Sequence, residues 1–304
     1  MVLAIQIGII LMVVIFAYFF AVDLMAHKED IKGKERVLGI AAVSNITLFF
    51  DTLGIGCYAP MTASFKFFKL VKDRYIPGTL NTACVVSMAV ESLIYITVIE
   101  VETVTLVTLI VASSIGAFLG AGIVSKLPVN KMRLGMGAAL LVVAIVMLLG
   151  MFDLMPIGGE AIGIAGSKLV ISAIVCFVLG ALMTIGIGAY APIMALVYLM
   201  GLSPAVAFPI MMGACAFLIP AAGIRFVRES SGAKAVYDRK AALVANTIGI
   251  GGIFVAAFLV KSMPLGMLKW LVVAVIIYTG IVMLRDGLRK GVEEEPVPTG
   301  QQSA

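Results

Sequence analysis

Two short glycine-containing motifs carry the residue types of this chain that could do chemistry. The first is Asp51-Thr-Leu-Gly-Ile-Gly-Cys-Tyr-Ala-Pro60, and it returns 132 residues later as Met183-Thr-Ile-Gly-Ile-Gly-Ala-Tyr-Ala-Pro192. From Gly54 to Ala63, 7 of 10 positions are identical to residues 186–195. Glycine permits a sharp reversal, and proline suits the first turn of the helix that follows. Each motif, called a tip below, is therefore predicted to break a helix.

The chemistry that such breaks favour is anion binding. A helix that restarts after a tip directs unpaired N–H groups and the positive end of its dipole toward the break. Two such ends can hold an anion without a buried Arg or Lys. The substrate-binding residues predicted on this basis are Thr52, Gly54, Gly56, Cys57, Tyr58, Asn81, Thr184, Gly186, Gly188, Tyr190 and Asn246. The alternatives are aromatic packing for the tyrosines and close helix contacts for the glycines.

Two acids lie inside apolar segments. Asp51 comes three residues before the first tip glycine, and Glu91 lies deep in the segment that follows. A carboxyl group at such a depth is costly unless it is protonated or paired, so both are candidates for proton coupling. The alternative for each is a structural acid that caps a half-helix or bonds to a neighbour.

No catalytic residue, metal site or cofactor is predicted. The single histidine, His27, lies in a charged loop, and the four cysteines form no C-x-x-C pair, so a zinc site has little support. These features disfavour an enzyme. A driving ion, if one is used, would be H⁺ or Na⁺.

The composition is that of a helical membrane protein with many spans. Of 304 residues, 62% are hydrophobic and 13% charged, and the mean hydropathy is +1.14. Apolar runs of about 20 residues, the length that crosses a bilayer, recur along the chain and include predicted single spans at about 76–99 and 241–261. The net charge of +5 lies in the loops, where it reports topology rather than nucleic-acid binding.

Positive charge also predicts how the tips are arranged. If each tip belongs to a hairpin that returns to its own side, all but three of the 22 Lys and Arg residues share one side. This bias favours seven spans and two hairpins that enter from opposite faces, with the N-terminus outside and the C-terminus cytoplasmic. The predicted fold is an all-α polytopic membrane protein with two inverted repeats, each a re-entrant hairpin plus three spans. The segments are 1–36 (N-terminal span and loop), 37–151 (first repeat), 152–167 (connector), 168–285 (second repeat) and 286–304 (disordered tail).

The tips and the segments Ile115–Pro128 and Ile248–Pro264, each followed by a final apolar span, resemble the sulfite exporter TauE/SafE family. The resemblance implies a permease of the bacterial cytoplasmic (inner) membrane. Its substrate would be a small anion such as sulfite, a sulfonate, sulfoacetate or a related organic acid, carried by alternating access. The chain departs from the family in its shorter glycine run at the tip and in its extra first span. An anion-selective channel built on the same hairpins is the alternative, and a homo-oligomer is left open.

Overall fold

The computed structural model describes most of the chain outside the second tip and the C-terminal tail. The described residues are 2–52, 56–96, 100–124, 126–152, 154, 160–184, 193, 196–197, 199–203, 206–230, 235–259 and 265–288. Leu53 to Ile55 of the first tip and residues 185–192 of the second lie outside these ranges, as do residues 289–304 of the predicted tail. Residues 286–288, which were predicted as the start of that tail, belong to the last helix.

The described chain is built of α-helices, and no strand occurs within the ranges above, in agreement with the predicted all-α class. The helices are α1 (Val2–Ala26), α2 (Lys28–Ile31), α3 (Val37–Thr52), α4 (Tyr58–Phe67), α5 (Ile76–Ala83), α6 (Val85–Tyr95), α7 (Thr103–Val124), α8 (Val129–Met151), α9 (Gly166–Met183), α10 (Ala207–Ser230), α11 (Arg239–Thr247), α12 (Gly251–Leu259) and α13 (Leu265–Leu288). A 3₁₀ turn at Asp73–Tyr75 leads into α5.

Five helical stretches are long and apolar enough to cross a membrane. They are Leu3–Ala26, Thr103–Val124, Gly166–Met183, Pro209–Ser230 and Arg239–Ala256. Their lengths match the thickness of a bilayer core. The membrane class that the composition predicted is thus confirmed at the level of helix length and hydropathy.

Two segments that the sequence predicted as single spans are each divided in two. The span expected over residues 76–99 becomes α5 and α6, with the division at Cys84, and residues 97–99 lie outside the description. The span expected over 241–261 becomes α11 and α12, which are separated by a turn at residues 248–250. Neither a proline nor a glycine marks the first division, so composition did not reveal it.

Charged residues gather at one end of the helices, called the basic end. There the Arg36 side chain donates to the carbonyl of Leu70 and, at 2.7 Å, to Asp238. Arg36 precedes α3 and Leu70 follows α4, so the segment that the first tip interrupts (residues 37–70, the first block) begins and finishes at this end. Arg133, at the start of α8, reaches Asp73 at 2.9 Å and adds that helix to the same end.

The opposite end, called the connector end, holds both ends of the segment that the second tip interrupts (residues 168–201, the second block). Lys168 near the start of α9 donates to the carbonyl of Met200 over 3.3 Å. Ser203 N–H donates to the carbonyl of Ala161 over 2.8 Å. Residues 160–203 therefore also begin and finish at one end. The connector is tied to α7 by a hydrogen bond from Glu102 N to Ile162 O of 2.9 Å.

Glu102 also organises the start of α7. Its carboxylate accepts hydrogen bonds from the side chain and the N–H of Thr105, as an acid at a helix start commonly does. These two bonds lower the pKa of Glu102 below its ordinary value. From this start α7 runs to the basic end, where a Cβ at Gly122 would meet the side chain of Arg225 at 2.7 Å.

The two blocks are crossed by helices from the other half of the chain at very short range. A side chain at Gly116 of α7 would collide with the carbonyl of Phe177 in α9, and one at Gly180 would collide with the carbonyl of Ser113. In the same manner, a side chain at Gly252 of α12 would collide with the carbonyl of Asn45 in α3. Small residues let membrane helices approach this closely. Thus α7 crosses α9, and α11–α12 crosses α3.

Helix α1 is fixed to the basic end by a buried ion pair. Asp23 accepts from Arg239 Nε at 2.7 Å and from its Nη2 at 3.1 Å, and also from the Tyr237 hydroxyl. Arg239 Nη1 reaches Asp30 at 2.7 Å. Burial and the hydrogen bond to Asp23 raise the pKa of Tyr237, so its hydroxyl stays a donor. No motif in the sequence predicts this network.

Candidate functional site

The first tip reverses the chain between α3 and α4. Gly56 has φ +88°, a conformation that glycine adopts at little cost and that other residues rarely take. Cys57 follows as the N-cap of α4, and its N–H donates to Asp51 Oδ1 over 2.8 Å. The carboxyl group of Asp51 therefore occupies a backbone donor that the sequence analysis had assigned to an anionic substrate.

The Asp51 carboxyl group is only half satisfied. Its residue is 1% exposed, and Oδ2 has no hydrogen-bond partner among the described residues. Glu91 of α6, which is fully buried, lies within interaction range of this carboxyl group. The hydroxyl of Thr52 donates to Glu91 Oε1 over 2.9 Å. Two acids from different helices thus meet beside the first tip.

Three buried thiols adjoin these acids. Cys57 Sγ lies 3.8 Å from Cys84 Sγ, and Cys84 is the residue at which α5 gives way to α6. Cys215 of α10 lies within electrostatic range of both Asp51 and Glu91. The site is therefore built from the first tip, the α5–α6 division and one face of α10. Cys84 and Cys215 were not among the predicted site residues, because no motif distinguishes them.

Tyr58 and Asn81 connect this site to the second half of the chain. The Tyr58 hydroxyl lies 3.4 Å from Leu80 O and 3.5 Å from Asn81 Oδ1. Asn81 Nδ2 donates to Pro77 O at 2.8 Å and reaches Thr184 O at 3.4 Å. Thr184 is the C-cap of α9 and the second residue of the second tip, whose residues 185–192 lie outside the described ranges.

Asn246 is held on three sides by backbone. Its Nδ2 donates to Thr82 O at 2.7 Å and to Ala242 O at 2.9 Å. Its Oδ1 accepts from Val86 N–H at 3.0 Å. In this structure the amide therefore serves the α5–α6 division, whereas the sequence analysis predicted a substrate contact.

The structure thus brings most of the described site residues into one region. Asp51, Thr52, Cys57, Tyr58, Asn81 and Glu91 are buried and linked by the contacts above, and Thr184 joins them through Asn81. Asn246 adjoins them at the helix division. The predicted residues Gly54, Gly186, Gly188 and Tyr190 lie outside the described ranges.

The groups present define what chemistry the region can support. Two carboxyl groups that share a buried site can take up and release a proton, since carrying both as anions in low dielectric is costly. Among the described residues no group of three or more His, Cys, Asp or Glu side chains is placed to hold a metal ion. Proton exchange and hydrogen bonding are among the capacities of the groups in this region.

Comparison of the chain with family models, with curated proteins and with solved structures gives no match.

Proposed function

We propose that the protein is a secondary transporter for a small anion, working by alternating access around its two tips. The substrate would be sulfite, a sulfonate such as sulfoacetate, or a related organic acid. The observation that carries this proposal is the half-satisfied carboxyl group of Asp51. It lies fully buried beside a helix break, next to a second acid, in a bundle of membrane-length helices. Broken helices that meet polar groups inside a membrane bundle are typical of secondary transporters.

Two inverted repeats are part of the proposal. The contact between Arg36 and Leu70 supports a first hairpin that returns to the basic end, and that between Lys168 and Met200 supports a second hairpin that returns to the connector end. The reciprocal crossings add support, because each block is crossed by a long segment of the other half. Two hairpins from opposite faces would direct their tips toward the same interior region.

The same contacts support an orientation in the membrane. Arg36, Lys66, Arg133 and Arg239 make their ion pairs at the basic end. Basic residues accumulate on the cytoplasmic side of membrane proteins. We therefore place the basic end in the cytoplasm and the N-terminus of α1 outside, in the bacterial inner membrane.

The hydrogen bond between Asp51 and Cys57 supplies a coupling mechanism. As an ionised group, Asp51 occupies the N–H at the start of α4 and adds negative charge beside it. Protonation neutralises the carboxyl group and weakens the hydrogen bond that it accepts from the Cys57 N–H. A substrate anion could then bind there in its place, so that proton and anion move together. Glu91, in range of Asp51, would accept or supply the proton.

Counterflow in proteoliposomes tests the proposal. Vesicles that contain purified protein and a high internal concentration of unlabelled sulfite are placed in a trace of radiolabelled sulfite. A carrier accumulates label transiently above equilibrium, because the internal anion drives exchange. A channel gives flux without this overshoot. That result would contradict the carrier and favour an anion-selective channel.

A thermal-shift screen identifies the anion if sulfite fails. Sulfite, sulfoacetate, other sulfonates and small carboxylates are each added to purified protein at two pH values, with and without Na⁺. A ligand that binds the folded state raises the melting temperature according to its concentration relative to its Kd. If no anion in the series stabilises the protein at either pH, the proposed substrate class is wrong.

A further inference from the structure

The division between α5 and α6 is made by a side chain from the other half of the chain. In a continuous α-helix, Val86 N–H would donate to the carbonyl of Thr82, four residues earlier. Here that bond is replaced by a bridge through Asn246 of α11. Thr82 O receives Asn246 Nδ2 at 2.7 Å, and Val86 N–H donates to Asn246 Oδ1 at 3.0 Å.

An inserted amide is a physically sufficient cause of this division. Helices bend where a side chain enters the ladder of i to i−4 hydrogen bonds. Asn246 is 7% exposed, and in such a setting an unpaired backbone N–H or C=O costs several kcal/mol. Asparagine presents a donor and an acceptor on one planar group, so it can satisfy both backbone groups at once.

The division places two site residues. Cys84 lies at the division itself, 3.8 Å from the thiol of Cys57 in the first tip. Helix α6 begins immediately afterwards and brings Glu91 to the hydroxyl of Thr52 at 2.9 Å. If α5 and α6 formed one continuous helix, the direction of α6 and hence the position of Glu91 would change.

We propose that Asn246 is a positioning residue of the transport site, which holds the α5–α6 division open and so fixes Cys84 and Glu91 against the first tip. Its role in transport rests on the proposed function, whereas its effect on the division does not. It acts from the second half of the chain upon the first. Movement of α11 would therefore be transmitted directly to the acids at the tip.

A second asparagine makes the reverse connection. Asn45 of α3 donates to Ile248 O at 3.0 Å, at the turn that separates α11 from α12, and to Ala41 O at 2.8 Å in its own helix. Each half of the chain thus supplies an asparagine to the divided helix of the other half. The two connections share α11, which carries Asn246 and ends at the turn that Asn45 contacts.

Cross-linking of the two native thiols tests the proposal. In a Cys176→Ser, Cys215→Ser background, diamide oxidises Cys57 and Cys84 to a disulfide. Trypsin cleaves the chain in the basic stretch between them, and the fragments stay joined only where the disulfide has formed. In Asn246→Ala the Val86 N–H can bond to Thr82 again, so we expect cross-linking to slow by about tenfold, the change that roughly 1.4 kcal/mol produces.

The matched control is Thr247→Val. Thr247 is the next residue of α11, and its hydroxyl bonds to the carbonyls of Leu243 and Val244 in its own helix. This variant should cross-link at the background rate. A background rate in folded, monodisperse Asn246→Ala would overturn the proposal, since the division would then persist without the amide.

A second variant keeps the test decisive if Asn246→Ala does not fold. Asn246→Asp retains the acceptor for Val86 N–H but loses the donor to Thr82 O, so an intermediate rate is expected. A rate equal to background in that variant would also contradict the proposal. In sulfite counterflow, Asn246→Ala and Asn246→Asp, each made in the wild-type chain, should raise KM more than they lower kcat. If the wild-type protein does not carry sulfite, the proposed substrate fails while the cross-linking result still decides the role of Asn246.

Discussion

Two buried aspartates are partnered in contrasting ways in this molecule. Asp23, 3% exposed, has both carboxylate oxygens bonded to Arg239 and one of them also to Tyr237. Asp51, 1% exposed, has one oxygen on the N–H of Cys57 and the other without a partner among the described residues. A bidentate guanidinium stabilises a charged carboxylate and fixes geometry. A buried carboxyl group with one unpartnered oxygen is instead costly to keep ionised, which favours uptake of a proton. Asp23 is thus a structural acid, whereas Asp51 is the acid that we propose takes part in transport.

The largest effect is expected from Asp23→Asn. The substitution removes the charge that compensates Arg239, which is itself 4% exposed. Breaking a buried ion pair from one side typically costs 3–5 kcal/mol, and we expect about 3 kcal/mol because Asp30 still contacts the guanidinium. Thermal unfolding of the purified protein in detergent measures the loss.

The control removes both charges. Asp23→Leu combined with Arg239→Met should recover part of the stability, because no buried charge is then left without a partner. If Asp23→Asn melts at the wild-type temperature, the ion pair does not hold α1 in place. Asp23 could then no longer be called a structural acid in contrast to Asp51.

Asp51→Asn, the same substitution at the other aspartate, should affect transport strongly and stability little. Asp51→Asn keeps an oxygen for Cys57 N–H and removes no partner from a buried cation, so we expect a change in stability below about 1 kcal/mol. Transport, however, should lose its pH dependence. Wild-type uptake should rise as pH falls, because protonation of Asp51 releases the N–H to the anion, whereas Asp51→Asn uptake should stay level.

Initial rates of sulfite uptake between pH 5 and pH 8 provide the measurement for the preceding variant. Asp23→Asn, measured at a temperature at which it remains folded, is the matched control and should keep the wild-type slope. A pH slope in Asp51→Asn equal to that of the wild type would show that the proton binds elsewhere.

The sequence singled out Asp51 but not Asp23, for a physical reason. Asp51 was identified because it directly precedes a helix break, and that signal is local. Asp23 stands at the end of an apolar run, and its partner Arg239 lies 216 residues away. The division at Cys84 escaped prediction for the same reason, since its cause, Asn246, is 160 residues from Val86. Composition and tip motifs reveal class and breaks, but pairings between distant helices depend on the packed fold.

Glu91→Gln should have a smaller effect than Asp51→Asn. The amide can still accept from the Thr52 hydroxyl, so the contact between α3 and α6 is retained. If Asp51 is the acid that competes with the anion, Glu91→Gln should shift the pH profile of uptake without abolishing its slope. A profile that is flat in Glu91→Gln and unchanged in Asp51→Asn would exchange the roles of the two acids.

The smallest effect is expected at the histidine that borders Asp23. His27 Nδ1 lies 3.3 Å from Asp23 Oδ1, and its side chain is 34% exposed. Solvent screens a contact of this kind, so His27→Gln should cost less than about 1 kcal/mol in thermal unfolding. Because Arg239 already satisfies both oxygens of Asp23, the loss of a partly exposed neighbour leaves the buried pair intact. A loss as large as that of Asp23→Asn would instead mean that the histidine, rather than the guanidinium, is the partner that holds the aspartate. The difference between Asp23 and Asp51 would then depend on His27 and its loop, and not on the buried ion pair with Arg239.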